Sequence, residues 1–131
     1  MNRTATATAS AFTPLLMVQG AYYFATGIWP LVSIDTFQMV TGPKADLWLV
    51  RTVGVLICVI AIALLVGAVR RVASPETVAL AVGSALALTA IDVIYVSLGT
   101  IDKVYLLDAA AELALVAWWL SGARTTSATR L

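Results

Sequence analysis

Four long apolar runs divide this chain of 131 residues. They are Pro14–Ile34, Leu47–Val69, Thr77–Leu98 and Val104–Leu120. A helix needs roughly 17–25 apolar residues, each rising about 1.5 Å, to cross a bilayer, and all four runs reach that length. The polar segments between them are too short for a soluble domain. The sequence predicts an all-α, polytopic integral membrane protein of the cell membrane, a single domain over residues 1–131 with four transmembrane helices in an up-down-up-down bundle.

Composition agrees with this class and excludes several kinds of site. Hydrophobic residues make up 61% of the chain and charged residues 11%, whereas soluble domains carry about 25% charge. The net charge of +1 gives no reason to expect a nucleic acid partner, so the expected partners are the lipid bilayer and a small-molecule or ion ligand. Histidine is absent and Cys58 is the single cysteine, which excludes His-ligated metals, iron–sulfur clusters and a Ser-His-Asp triad. We expect no cofactor and no metal.

The distribution of basic residues predicts the orientation of the helices. Five arginines lie on the N-terminus, between the second and third runs, and on the C-terminus: Arg3, Arg70, Arg71, Arg124 and Arg130. With four spans these segments share one side, and the other side carries Lys44 and Lys103. Because basic residues concentrate in cytoplasmic segments, both termini are predicted to be cytoplasmic.

Local signals predict two helix ends and a lid. Ser74-Pro75-Glu76 combines a capping side chain, a proline suited to the first helical position and an acid in the first turn, so a helix should begin there. Gly122 follows the last apolar residue, as a glycine that ends a helix would. The outer loop 35–46 carries Phe37, Met39 and Val40, which would let it lie on the bundle as a lid. The alternative is an ordinary solvated loop.

Four charged side chains interrupt the apolar runs. Arg51 lies in the second run, Asp92 in the third, and Asp108 and Glu112 in the fourth. Each costs on the order of 2.5–3.5 kcal/mol within a bilayer, so each is a candidate functional residue. Counting about 1.5 Å per residue from the outer helix ends places all four in the outer half of the membrane. Asp108 and Glu112 are four residues apart and therefore share one helical face.

The first run carries a polar stripe instead of charge. Gln19, Tyr22, Tyr23 and Thr26 fall at helical spacing. Such a stripe should point into the bundle, because each hydroxyl or amide needs a partner that lipid cannot supply. The predicted ligand-binding residues are Tyr22, Tyr23, Thr26, Arg51, Asp92, Asp108 and Glu112.

The charges have a structural and a functional interpretation. Arg51 could pair with Asp92 or Asp108 and lock two helices together. One arginine against three acids nevertheless leaves two acids uncompensated, and neighbouring buried carboxylates do not both ionise cheaply. At least one acid should be protonated, be exposed to an aqueous vestibule, or hold a cation. Glu112, the deepest, is the expected site of exchange. The structural alternative is a protonated Glu112 that only forms a hydrogen bond.

The sequence favours an outward-facing charged pocket that binds or transports a proton, a cation or a small cationic molecule. One alternative is a membrane-embedded enzyme acting on a lipid or isoprenoid group, with Asp92 and Asp108 as acid–base groups or Mg²⁺ ligands. Another is a non-catalytic membrane subunit or scaffold. A transport path through four helices would need two copies, hence a homodimer. The span count and embedded glutamate resemble small multidrug-resistance transporters, whose glutamate is on the first helix, where this chain has Gln19. The resemblance therefore implies architecture alone.

Overall fold

The computed structural model describes the backbone of residues 3–129 and the side chains of residues 11–124. Within this range the chain forms five helices: α1 (Arg3–Val32), α2 (Ile34–Thr41), α3 (Leu47–Arg70), α4 (Pro75–Ser97) and α5 (Tyr105–Thr129). Four of them contain stretches long and apolar enough to cross a membrane: Ala11–Val32, Leu47–Arg70, Pro75–Ser97 and Tyr105–Arg124. This confirms an all-helical protein with four candidate spans. Arg130 and the side chain of Arg3, which contributed to the predicted orientation, lie outside the described residues.

The contact between α1 and α3 is close because glycines face each other across it. A Cβ atom on Gly27 would lie 2.9 Å from the carbonyl oxygen of Gly54, and a Cβ atom on Gly54 would lie 2.7 Å from the carbonyl oxygen of Gly27. A Cβ atom on Gly20, two turns earlier in α1, would lie 3.3 Å from the carbonyl oxygen of Ala61. Small residues let helix backbones approach in lipid, where van der Waals packing holds helices together. α1 and α3 therefore form one tightly packed pair.

The second extensive helix pair is formed by α4 and α5. Buried apolar side chains from both pairs meet in one core: Phe12, Leu15, Leu16, Tyr23, Ala61, Leu64, Ala68, Ala81, Leu115 and Trp119. The rings of Phe12 and Trp119 stack there with centroids 5.1 Å apart. Many large apolar side chains of α3 and α4 are instead exposed, such as Val59, Ile62 and Ile94. Such outer surfaces are suited to lipid.

The structure agrees with one predicted helix end and overturns the other. Helix α4 starts at Pro75, and the Ser74 hydroxyl accepts a hydrogen bond from the Thr77 amide at 3.2 Å, as predicted. The prediction that Gly122 ends the last helix is wrong, because α5 continues to Thr129. A Cβ atom on Gly122 would lie 2.7 Å from the ring of Phe12. The glycine thus permits a close approach to α1 and does not terminate the helix.

A short helix occupies much of the segment expected to be a loop. α1 ends at Val32, and Ser33 caps α2 by accepting a hydrogen bond from the Thr36 amide. The indole of Trp29 donates to the Thr36 hydroxyl at 2.9 Å and meets the ring of Phe37 edge-on, with centroids 5.5 Å apart. These contacts hold α2 against the end of α1.

Candidate functional site

A cavity of about 440 Å³ lies among α1, α2, α3 and α5, and α4 contributes Leu88 to its lining. Its volume falls within the range of roughly 300–1,000 Å³ that is typical of small-molecule sites. Much of its lining is apolar or aromatic: Trp29, Pro30, Phe37, Val40, Leu49, Val50, Val53, Ile57, Leu88 and Val104. The polar side chains in the lining are Tyr22, Thr26, Thr41, Tyr105, Asp108 and Glu112. The cavity is therefore an apolar chamber into which α5 introduces two acids.

Consecutive tyrosines of α1 bind the two acids of α5. The Tyr22 hydroxyl donates a hydrogen bond to Oδ1 of Asp108. The Tyr23 hydroxyl donates to Oε2 of Glu112 at 2.7 Å. Asp108 and Glu112 lie one helical turn apart on α5, so adjacent tyrosines reach successive acids. The structure thus brings together four of the predicted site residues.

A buried polar layer lies beside the Tyr23 hydroxyl. Gln19 is fully buried; its Oε1 accepts from the Trp119 indole at 2.7 Å and its Nε2 donates to the Ala81 carbonyl at 2.9 Å. The same side chain lies against the Tyr23 hydroxyl. Gln19 thus joins α1 to α4 and α5 beside Tyr23, whose hydroxyl proton is donated to Glu112.

Glu112 keeps one oxygen without a partner. Its side chain is 1% exposed, and among the described residues no group donates a hydrogen bond to Oε1. A buried acceptor left unpaired is destabilising, and more so when it is charged. Oε1 of Glu112 therefore has an unfilled acceptor position, and the residue lines the cavity.

Asp92 stands behind Asp108, outside the cavity lining. It is 4% exposed, its carboxyl group lies against that of Asp108, and its Oδ2 lacks a hydrogen-bond partner in the described part of the chain. Two ionised carboxylates repel each other and neither supplies a donor, whereas one proton shared between them provides an O–H donor. The three acids therefore form one cluster, in which a proton shared between Asp92 and Asp108 would relieve the repulsion between their carboxyl groups.

Arg51 does not complete this cluster, and the prediction that it contacts Asp92 or Asp108 is wrong. The side chain is exposed, and within the range that the structure describes no ion pair joins it to a carboxylate. α3 turns Val50, Val53 and Ile57 toward the cavity. Arg51 follows Val50 by one residue, which rotates it by about 100° around the helix and places it roughly 160° from Val53. Counting residues from the helix end predicted how deep Arg51 lies in the membrane, but not the side of α3 on which it lies.

Thr26 lines the cavity, but its hydroxyl proton is already used. It donates to the backbone carbonyl of Tyr22, one turn earlier, at 3.0 Å. Thr26 can therefore offer the cavity an acceptor, while its donor stays within α1.

Lys44 fastens α2 to the beginning of α5. Its ammonium donates to the carbonyl oxygens of Thr41 and Gly42, both at 2.8 Å, and lies 5.3 Å from the centroid of the Tyr105 ring. Burial lowers the pKa of Lys44, an effect that the nearby carboxylate of Asp102 opposes. Lys44 thus holds the C-terminal end of α2 close to Tyr105, with its charge directed at the carbonyl groups of that helix end.

Sequence reasoning left Trp29 and Tyr105 out of the predicted site and expected Phe37 only as part of a lid. Trp29, Phe37 and Tyr105 all line the cavity, and the first two meet through the turn at Ser33. The Ser33 cap three residues before Thr36 was the signal that could have revealed α2. Of the lid residues, Phe37 and Val40 line the cavity, whereas Met39 is 83% exposed and points away.

Comparison of the chain with protein-family models, with curated proteins and with solved structures finds no match.

Proposed function

We propose that this protein binds a small organic cation in the cavity between α1, α2, α3 and α5. In this proposal it is a multi-pass protein of the cell membrane, an up-down-up-down bundle with cytoplasmic termini, and the cavity faces the outer side. The observation that carries the proposal is the composition of the cavity. Two acids, Asp108 and Glu112, line a largely apolar cavity, and a third, Asp92, lies next to Asp108. None of the three forms an ion pair within the described residues.

The acids supply the electrostatic part of the argument. Asp108 and Glu112 line the chamber, and an ionised carboxylate in a low-dielectric site needs a positive partner or a proton. The predicted partner, Arg51, is turned away, and Lys44 is engaged at the end of α2. A cation that enters the cavity would offset the charge of an acid that lines it, and a proton would do so when the cavity is empty.

The chamber itself favours an organic cation over a bare ion. A proton does not need 440 Å³ of apolar and aromatic lining, whereas an organic body is bound by such surfaces. Aromatic rings also attract cations through their faces. In the described residues no group of three or more acidic, histidine or cysteine side chains is arranged to hold a metal ion.

Binding to purified protein in lipid nanodiscs tests the proposal. A panel of small aromatic amines would be titrated into the wild type and Glu112→Gln by calorimetry or by quenching of tryptophan fluorescence. A charge-assisted hydrogen bond contributes about 1.5–3 kcal/mol, so Glu112→Gln should lower the affinity by about 10- to 100-fold. The control is Glu76→Gln, the same change on the exposed first turn of α4, which should leave the affinity unaltered.

Two results would contradict the proposal. One is that no amine of the panel binds the wild type at about 1 mM, the weak end of specific affinity. The other is that Glu112→Gln, shown to be folded by circular dichroism, binds as tightly as the wild type. Glu112 would then be a protonated structural residue.

Transport would extend this binding function. We propose that it would involve a homodimer, since one protomer offers only four spanning helices around any path. Native mass spectrometry from nanodiscs measures the number of copies, and uptake of a bound amine into sealed proteoliposomes measures transport. A monomer that binds an amine without moving it would limit the function to binding.

A further inference from the structure

The unpaired oxygen of Glu112 distinguishes between kinds of cation. Its Oε2 accepts the Tyr23 hydroxyl, while Oε1 has no donor among the described groups although the side chain is 1% exposed. Charge alone does not satisfy this atom. It requires a hydrogen-bond donor, and Glu112 lines the cavity from which a donor could come.

Three of the hydroxyl groups along the cavity, those of Tyr22, Thr26 and Thr41, already donate elsewhere. Tyr22 donates to Asp108. Thr26 and Thr41 donate to backbone carbonyls of their own helices, at 3.0 Å and 2.8 Å. None of these three groups donates to Oε1 of Glu112, so a ligand or a water molecule in the cavity could supply the donor. A ligand that displaces such a water without replacing its hydrogen bond loses affinity.

The tyrosines next to the acids contact them through their hydroxyl groups, Tyr22 at Asp108 and Tyr23 at Glu112. Trp29 and Phe37 meet edge-on at the α2 side of the cavity, and the Trp29 indole N–H is bound to Thr36. Enclosure by several aromatic faces is the arrangement that suits quaternary ammonium groups. Here the rings offer a surface for an apolar body, while the carboxylates of α5 offer acceptors for N–H groups.

We propose that the ligand is a protonated primary or secondary amine with an apolar body, and that its N–H group donates to Oε1 of Glu112. This inference rests on the proposed function and narrows the class of cation. An ammonium group with several N–H donors can satisfy Glu112 and still reach Asp108, which lies one turn away on the same helix. A quaternary ammonium carries the same charge but no donor, so it leaves the Glu112 oxygen unpaired.

A matched pair of ligands tests the inference on the intact protein. The probes are 2-phenylethylamine and its N,N,N-trimethyl derivative, which share one apolar body and, at neutral pH, one positive charge. Their dissociation constants would be measured in nanodiscs with the wild type and with Glu112→Gln. We expect the primary amine to bind the wild type at least about 10-fold more tightly than the trimethyl derivative. In Glu112→Gln the ratio should fall by several-fold, because the amide oxygen still accepts an N–H group but no longer carries a charge.

The outcomes separate this inference from the broader proposal. If both probes bind the wild type equally and both lose affinity in Glu112→Gln, cation binding stands and the requirement for an N–H donor is overturned. Tighter binding of the trimethyl derivative would overturn it as well. If neither probe binds, or if neither depends on Glu112, both proposals fail. The ratio in the wild type alone decides the matter should the variant not fold.

Discussion

The glycine contact between α1 and α3 gives a quantitative prediction for Gly54→Ala. Gly54 lines the cavity, and its missing side chain lets the Gly27 carbonyl approach. An alanine Cβ at this position would lie 2.7 Å from that oxygen, whereas ordinary contacts begin at 3.4 Å. Backbone atoms cannot rotate away as side chains do, so the two helices would have to separate locally by about 0.7 Å.

The expected cost follows from this separation. Overpacking of a close contact destabilises by about 1–3 kcal/mol. Alanine also favours the helix by about 1 kcal/mol relative to glycine, which offsets part of the cost. The control is Gly83→Ala on α4, where a new Cβ meets nothing within 4 Å, so it carries the helix preference without the clash. The difference between the two variants should therefore be about 1–3 kcal/mol, with Gly54→Ala the less stable.

Reversible unfolding in mixed detergent micelles, followed by circular dichroism, measures both variants against the wild type. Because Gly54 lines the cavity, the same change should also weaken amine binding, while Gly83→Ala should not. Equal stabilities for the two variants would refute the idea that a close glycine contact joins α1 to α3.

Three further predictions concern single side chains. Tyr23→Phe should destabilise by about 1–2 kcal/mol, since it removes the donor from a buried carboxylate, and Tyr95→Phe, at a residue 40% exposed, should be neutral; equal effects in the same unfolding assay would contradict this. Ser74→Ala should cost about 1 kcal/mol through loss of the α4 cap, whereas Ser97→Ala, whose hydroxyl is exposed and bonds within its own helix, should stay within about 0.5 kcal/mol; a neutral Ser74→Ala would show that the cap is dispensable. A lowered Lys44 pKa means that the unfolded chain binds the proton more tightly, so stability should rise as pH increases through that pKa toward the ordinary 10.5. Unfolding free energies of the wild type and of Lys44→Met would be measured between about pH 8 and 10.5. The stability of the wild type relative to the variant should increase with pH, and a constant difference would contradict the assignment.

Run length and helical spacing predicted much of this architecture. Each apolar run was long enough for one span, and the polar stripe of α1 had to find partners inside the bundle. That requirement led to Tyr22 and Tyr23, which the structure places against Asp108 and Glu112. The span lengths and the polar stripe both depend on a single helix, so they can be predicted directly from the sequence.

Contacts that depend on the rotation of neighbouring helices could not be predicted in this way. The level of Arg51 in the membrane followed from counting residues, but the side it occupies depends on how Gly27 meets Gly54. Gly122 shows the same limit, because the sequence does not distinguish a glycine that ends a helix from one that makes room for the Phe12 ring of a neighbouring helix. Helix α2 was missed because the first apolar run was taken to continue through Ser33 to Ile34, although Ser33 is the cap of a new helix.

The most direct test of cation binding is a structure of the protein in nanodiscs with 2-phenylethylamine, at a resolution that places the ligand atoms. The account predicts the amine nitrogen about 3 Å from Oε1 of Glu112, with the phenyl ring against Trp29 and Phe37. A cavity filled by a lipid acyl chain, with Oε1 of Glu112 bonded to another group of the protein, would contradict it.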